Sequence, residues 1–232
     1  MSAPALGPVG AVDRAVDRAV AAIAAGRPVV LLDDLAATPQ VVLVAAAELA
    51  DTSIVALVVR ESGGLLCVAL PGKRLDALRI PPMTAGWSAE RPAVAVSVDL
   101  AVGVSTGISA RDRAATVRAL ADPATTAADL VLPGHVLPLR AHPDGLAARP
   151  RPAEAAVDLC LRAGLAPAGL VAAAPDLGPG AAGPARALAR RLGVPALPIS
   201  RLAAPSIPRP AGAGSARPAP PDRAAARVAR AG

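Results

Sequence analysis

The chain has no phenylalanine, no tyrosine and a single tryptophan, Trp87. Sites that hold single-stranded nucleic acid stack bases on aromatic faces, so the net charge of +6 does not point to a nucleic-acid partner. Dispersed arginine on a solvated surface accounts for it, and 23 of the 24 basic residues are indeed arginine, only Lys73 being lysine. Cysteine is almost as scarce. Cys67 and Cys160 have no CxxC spacing and no histidine close in sequence, which argues against a zinc site and a disulfide framework and makes both small buried hydrophobes. Long apolar runs are missing too, because the most apolar stretch, VVLVAAAELADTSIVALVV, is interrupted by Glu48 and Asp51. No basic segment followed by an apolar run opens the chain, so the expectation is a cytoplasmic protein without a membrane partner. GxGxxG after a strand, GxxxxGK[ST], HExxH and GxSxG are all absent.

What is abundant is alanine, valine and leucine. They supply most of an apolar share of 53%, so a core must come from small aliphatic side chains in close-packed layers. A length of 232 residues suits one domain, expected over residues 1–203. From residue 204 onward proline, glycine, alanine and arginine leave nothing large to bury, which predicts a disordered basic tail, expected to be inert rather than to touch an anionic partner.

Residues 11–25 place Val12, Val16, Ala19, Val20 and Ile23 on one stripe of a helix stopped by Gly26. Strands are expected at PVVLLDD, VVLVAA, LLCVAL, AVAVSVDL, AGLVAAA and ALPIS, and helices at DTSIVALVVRESGG, SARDRAATVRALAD, AEAAVDLCLRAG and PARALARRLG. Asp51 or Thr52 caps the first of these helices, and Ser109 with Asp112 has capping-box spacing in the second. GPGAAG at 178–183 reads as a loop, since it offers no lysine for phosphate. The order of elements predicts an α+β fold, a layered domain with a mixed β-sheet covered by helices.

Both histidines fall in LVLPGHVLPLRAH, residues 130–142. His135 sits beside Gly134 between Pro133 and Pro138, which hold the backbone on a rigid extended path. A rigidly held imidazole suits general acid–base work, although spacing alone favours a histidine satisfied by backbone partners at a turn. His142, before Pro143-Asp144-Gly145, is expected to be solvated.

Three blocks in order, GVSTGISARDRAATVRAL, LPGHVLPLRA and GLAARPRPAEAAVDLCLRAGLAPAGLV, resemble the 3,4-dihydroxy-2-butanone 4-phosphate synthase family, whose pattern runs TTGxSAxDRxxT, RPGHxFPLxA and GVLxRxGHTEAxxDLxxLAGxxPAGV. VVLLDD and RESGGLLCVAL resemble its earlier blocks, so the likeness spans roughly residues 10–203. It implies a homodimer with a mixed sheet covered by helices. It also implies conversion of ribulose 5-phosphate to dihydroxybutanone phosphate plus formate in riboflavin synthesis, with magnesium stabilising the enediolate charge.

The same resemblance makes the departures legible. The family's acidic loop, DDEDRENEGD, carries a metal-ligating glutamate and substrate contacts; here Asp33 and Asp34 survive, and Leu35 to Val42 replace the rest. Glu61 stands where RHGSG has its histidine, Pro152 and Ala153 replace the metal-binding histidine and the threonine after it, and Ala173 replaces the catalytic glutamate. Arg149 and Glu154 match. The resemblance therefore implies His135 as the retained catalytic side chain, Arg149, Glu154, Asp33 and Asp34 as substrate contacts, no metal site and no expected cofactor. A substitute site built from Asp33, Asp34, Glu61 and Glu154 is less economical than surface salt bridges. Three functions compete: a working synthase, a non-catalytic homologue acting as dimeric partner or regulator of an intact synthase, and a metal-independent sugar-phosphate enzyme using His135. A fused GTP cyclohydrolase II domain, common in the family, is not expected in the 28 residues after Ala204.

Overall fold

Strands rich in valine, leucine and alanine without alternating polar positions need cover on both faces, and the structure provides it. A computed structural model describes residues 13–84, 93–175 and 182–204. Trp87, Val12 and the tail lie outside them. The chain runs α1 (Arg14–Ala24), β1 (Val29–Asp33), β2 (Gln40–Ala46), α2 (Thr52–Glu61), β3 (Cys67–Pro71), α3 (Gly72–Ala77), β4 (Ala93–Val94), β5 (Val98–Leu100), α4 (Ala110–Ala121), β6 (Leu130–Ala141), α5 (Gly145–Ala148), α6 (Pro152–Arg162), β7 (Gly169–Ala173), α7 (Ala182–Leu192), β8 (Ala196–Pro198) and α8 (Ile199–Ala203).

Eight strands form one sheet in the order β4-β6-β3-β7-β2-β1-β8, with β5 also paired to β6. Two pairings, β1 with β8 and β3 with β6, are parallel and the others antiparallel. The sheet is mixed and covered by helices, as the sequence predicts. Alternate residues of each strand feed two apolar layers. Val30, Leu32, Leu43 and Leu170 pack with α2, α4 and α7 on one face; Val29, Leu31, Val44 and Val171 pack with α1, α6 and α8 on the other. Small residues set the spacing between layers. A Cβ on Gly169 of β7 would stand 2.6 Å from the Ala156 Cβ of α6, so glycine here lets helix and sheet meet.

Local signals place the helix ends. Asp13 caps α1 by accepting from Ala15 N at 2.9 Å, and Asp51 caps α2 through Ile54 N at 2.8 Å. Gly164, with φ +72°, follows the end of α6. Three expectations change. AVAVSVDL is not one strand but β4 and β5, both along β6, with an irregularity between Val98 and Asp99. Pro133 and Pro138 of β6 have no N–H to give this ladder, which is why it is interrupted. ALPIS ends as a strand at Pro198, where α8 begins. Cys67 is only half-buried, while Cys160 is in the core as expected.

Candidate active site

His135 lies midway along β6 and faces Asp99 of β5. One carboxylate holds it twice: Asp99 Oδ1 accepts from the His135 backbone N at 3.0 Å, and Oδ2 lies 2.6 Å from the ring Nδ1. A carboxylate at Nδ1 fixes the proton there, leaving Nε2 as the atom able to take up or release a proton. The imidazole is 40% exposed and the Asp99 side chain 13%, so the base is open to a ligand while its orienting acid is covered.

Two glycines make this approach possible. A Cβ on Gly134 would fall 2.2 Å from the carbonyl carbon of Val98, so β5 and β6 could not come together around a larger residue. Gly107, at φ +80°, sits in the loop before α4, and a Cβ there would lie 2.1 Å from Asp99 Oδ2 and 2.8 Å from His135 Nδ1. That loop is pinned from below. Asp112 Oδ2 accepts from Ser105 Oγ at 2.8 Å, Ser105 N at 3.2 Å and Gly107 N at 3.3 Å, and the Ser105 hydroxyl is the main reason its carboxyl titrates below the ordinary range. Ser109 Oγ caps α4 by accepting from Asp112 N at 3.0 Å, so one half of the expected capping box forms and the Asp112 carboxylate serves the loop instead. Thr116 ties α4 to β5 by accepting from Leu100 N at 3.0 Å.

The other predicted residues gather elsewhere. Arg149 and Glu154 form a buried ion pair at the start of α6, with Arg149 Nε and Nη2 donating to Glu154 Oε1 at 2.9 and 2.6 Å. The same oxygen accepts from His142 N at 2.8 Å, and Arg149 Nη2 also donates to Arg140 O at 3.0 Å. His142 is therefore not a solvated side chain: it is 14% exposed, and its Nδ1 accepts from Asp144 N. Asp33, at the end of β1, faces Arg151 Nη1 at 3.4 Å, and burial pushes its carboxyl up from the ordinary value against the pull of Arg151. Asp34 accepts from the backbone N and the hydroxyl of Ser200 in α8. Glu61 pairs with Arg191 of α7 at 2.5 Å and with Arg60, and Arg191 holds its carboxyl below the ordinary value.

The expectation of surface salt bridges is corrected for two of these acids, since Asp33 and Glu154 are only 4% and 1% exposed. The β1–β2 ladder runs to Asp33 opposite Gln40, and the intervening residues 34–39 close it as a short turn. No group of three or more His, Cys, Asp and Glu able to hold a metal occurs among the described residues. The donor set agrees. Residues 35–42 bring no carboxylate, Pro152 offers no ligand atom, Asp33 and Asp34 are engaged by Arg151 and Ser200, and Glu154 is held through Oε1 by Arg149, which leaves a single buried oxygen, Oε2, without a hydrogen bond. The described residues do not fit a hard divalent cation.

Sequence reasoning missed Asp99, Gly107 and the loop anchorage by Asp112. Asp99 is 36 residues from His135, and only strand register brings the two together.

A layered α+β domain with an aspartate-oriented histidine on an edge-paired strand is the class the geometry defines. The chain belongs to the 3,4-dihydroxy-2-butanone 4-phosphate synthase family, whose sequence profile matches residues 17–204. Among curated proteins it is 49% identical to the riboflavin biosynthesis protein RibBA of Salinispora arenicola over 157 residues, 67% of this chain and 37% of that protein. RibBA of Rhodococcus jostii is also 49% identical over 157 residues, 67% of this chain and 38% of that one. The chain thus spans less than two fifths of these relatives' length. Among solved structures, a 3,4-dihydroxy-2-butanone 4-phosphate synthase of Candida albicans superposes with TM-score 0.73 at 36% identity, covering 81% of this chain and 94% of that one. A synthase in complex with two magnesium ions gives TM-score 0.75 at 34% identity with the same coverage.

Proposed function

We propose that this protein is a synthase-like member of the riboflavin-biosynthesis family that is impaired in turning ribulose 5-phosphate into dihydroxybutanone phosphate and formate. The observation that carries the reading is the contrast between two halves of the site. The acid–base half is built, with His135 oriented by Asp99 at 2.6 Å. The half that would hold charge on enediolate oxygens is not: the described acids are engaged by Arg151, Ser200 and Arg149, and Ala173 and Pro152 carry no functional group. Losing one preorganised electrostatic contact commonly costs ~10²-fold in rate, and losses within one catalytic unit do not simply multiply. Turnover is accordingly placed near background. His135 is the acid–base group, and Arg149, Glu154, Asp33 and Asp34 keep a structural form of the substrate end.

Purified protein given ribulose 5-phosphate and magnesium should release formate at a negligible rate. Magnesium-dependent release that disappears with EDTA and in a His135→Ala variant would restore the working-synthase reading.

The His135–Asp99 pair also favours a second reading, a metal-independent sugar-phosphate enzyme, in which Nε2 moves a carbon-bound proton next to a carbonyl. Proton exchange from sugar phosphates in deuterium oxide, lost in His135→Ala, tests it. We further infer a cytoplasmic homodimer, or a partner to an intact synthase. Its support is the apolar surface around the pair, where Val102 is 81%, Ile108 57% and Val131 51% exposed. Among the described residues no helix is long and apolar enough to cross a membrane. Sedimentation at micromolar concentration showing only a 22.8 kDa species would overturn the dimer.

A further inference from the structure

At the β8 edge of the sheet, a cleft of about 590 Å³ opens between α1 and α7, lined by Arg18, Arg27, Arg186 and Arg190 together with the Gly193–Val194 turn. No acidic side chain lines it. Among the described residues none of the four guanidinium groups has a hydrogen-bond or ion-pair partner, whereas Arg191, their neighbour on α7, is paired with Glu61. Arg186 and Arg190 stand one helical turn apart, a like-charge arrangement that destabilises a helix. Placing Arg190 in the last turn of α7 complements the helix dipole, but that does not account for Arg186, nor for Arg18 and Arg27 facing it from outside the helix.

We propose that this cleft binds an oligophosphate group. Guanidinium forks match phosphate oxygens two at a time. Four of them lining one cleft, from α1, the segment after it and α7, suit a ligand with three or four negative charges better than a single carboxylate. The volume is that of a small-molecule site. No aromatic ring lines the cleft, so recognition rests on the phosphate chain and not on a stacked base. The site is distinct from the His135 face: β6 is second and β8 seventh in the strand order, five spacings of ~4.8 Å, or ~24 Å along the sheet. The proposal does not depend on whether the protein releases formate. The chain's own tail is an unsuitable occupant, since residues 205–232 carry five arginines against one acid, Asp222.

The test is titration calorimetry of the full chain with inorganic phosphate, tripolyphosphate and a nucleoside triphosphate at ~0.15 M salt, where exposed charges are screened beyond ~8 Å. Tripolyphosphate should bind at least ten times more tightly than phosphate, and the nucleoside triphosphate within a few-fold of tripolyphosphate. Arg186→Gln/Arg190→Gln should weaken tripolyphosphate at least tenfold, while the charge-matched control Lys73→Gln/Arg79→Gln, in and just after α3 and away from the cleft, should leave it unchanged. Circular dichroism checks that both variants fold, as their exposed positions lead one to expect. Equal weakening in both variants, no preference for tripolyphosphate over phosphate, or tighter binding of a short single-stranded RNA would each overturn the proposal. So would conversion of a dimer to a monomer by the cleft variant with tripolyphosphate binding unaltered, which would make the cleft a subunit contact.

Discussion

Removing Glu154 alone should be among the most damaging single changes in the protein. Its carboxylate is fully buried, and one oxygen takes N–H groups from His142 and twice from Arg149, whose own side chain is 4% exposed. In Glu154→Leu the guanidinium stays inside the fold with its counter-charge gone, and the His142 N–H loses its acceptor. Breaking a buried pair from one side costs about 3–5 kcal/mol, at least roughly a fifth of the ~5–15 kcal/mol that holds an ordinary domain together. With a urea slope of about 2–3 kcal/mol per molar, the unfolding midpoint should fall by roughly 1–2.5 M. Arg149→Met/Glu154→Leu removes both charges and should recover at least about half of that loss, because apolar replacement of a whole buried pair is often neutral or favourable. Urea titrations followed by circular dichroism measure both. A single variant within about 0.3 M of the parent, or a double variant no better than the single, would refute the idea that the pair is held by mutual neutralisation.

Gly134→Ala should cost about 1–3 kcal/mol through overpacking against Val98 and should remove the downfield imidazole proton resonance expected of the His135–Asp99 hydrogen bond; an unshifted resonance would count against the close approach at 2.2 Å. Asp112 titrates below its ordinary value of 3.8 in the fold, chiefly through the Ser105 hydroxyl, so its stabilisation is present above that value and is lost as pH falls through the lower folded value. The gap in urea midpoint between parent and Asp112→Asn should therefore be widest above about pH 5 and shrink below 3.8, and a gap independent of pH would contradict this. Burial pushes the thiols of Cys67 and Cys160 up to about 11 and about 12; at pH 8 the native protein should react with Ellman's reagent ~100-fold more slowly than in urea, and equal rates would show the thiols to be accessible.

Local chemistry made much of this legible in advance. The α1 stripe, the Asp51 and Ser109 caps and the glycine after α6 depend on residues within four positions of one another. The extended course of the His135 segment followed from Pro133 and Pro138, but its membership of a 12-residue strand did not, because proline marks strand interiors poorly. The orienting aspartate was beyond reach for a different reason. Nothing within SVDL separates Asp99 from any other polar residue on a strand, and its role exists only once β5 and β6 pair in the observed register. His142 was misjudged because a turn sequence predicts solvation, whereas a buried carboxylate 12 residues on captures its backbone.

The turn that closes β1 onto β2 bears on how such a protein could change in future generations. Val41 and Val42 are 5% and 3% exposed and belong to the two opposite apolar layers. The resemblance places a glycine and an aspartate of the acidic loop at these positions. Reinstating the aspartate alone would set an unpaired carboxylate in the core, at several kcal/mol. Placing the glycine at Val41 alone would empty a filled position, so each single step costs stability before it brings any carboxylate to the turn. Selection acts on one substitution at a time, so the hairpin works as a ratchet: Val41 and Val42 each resist change singly, because the two apolar layers they join lose packing at the first step.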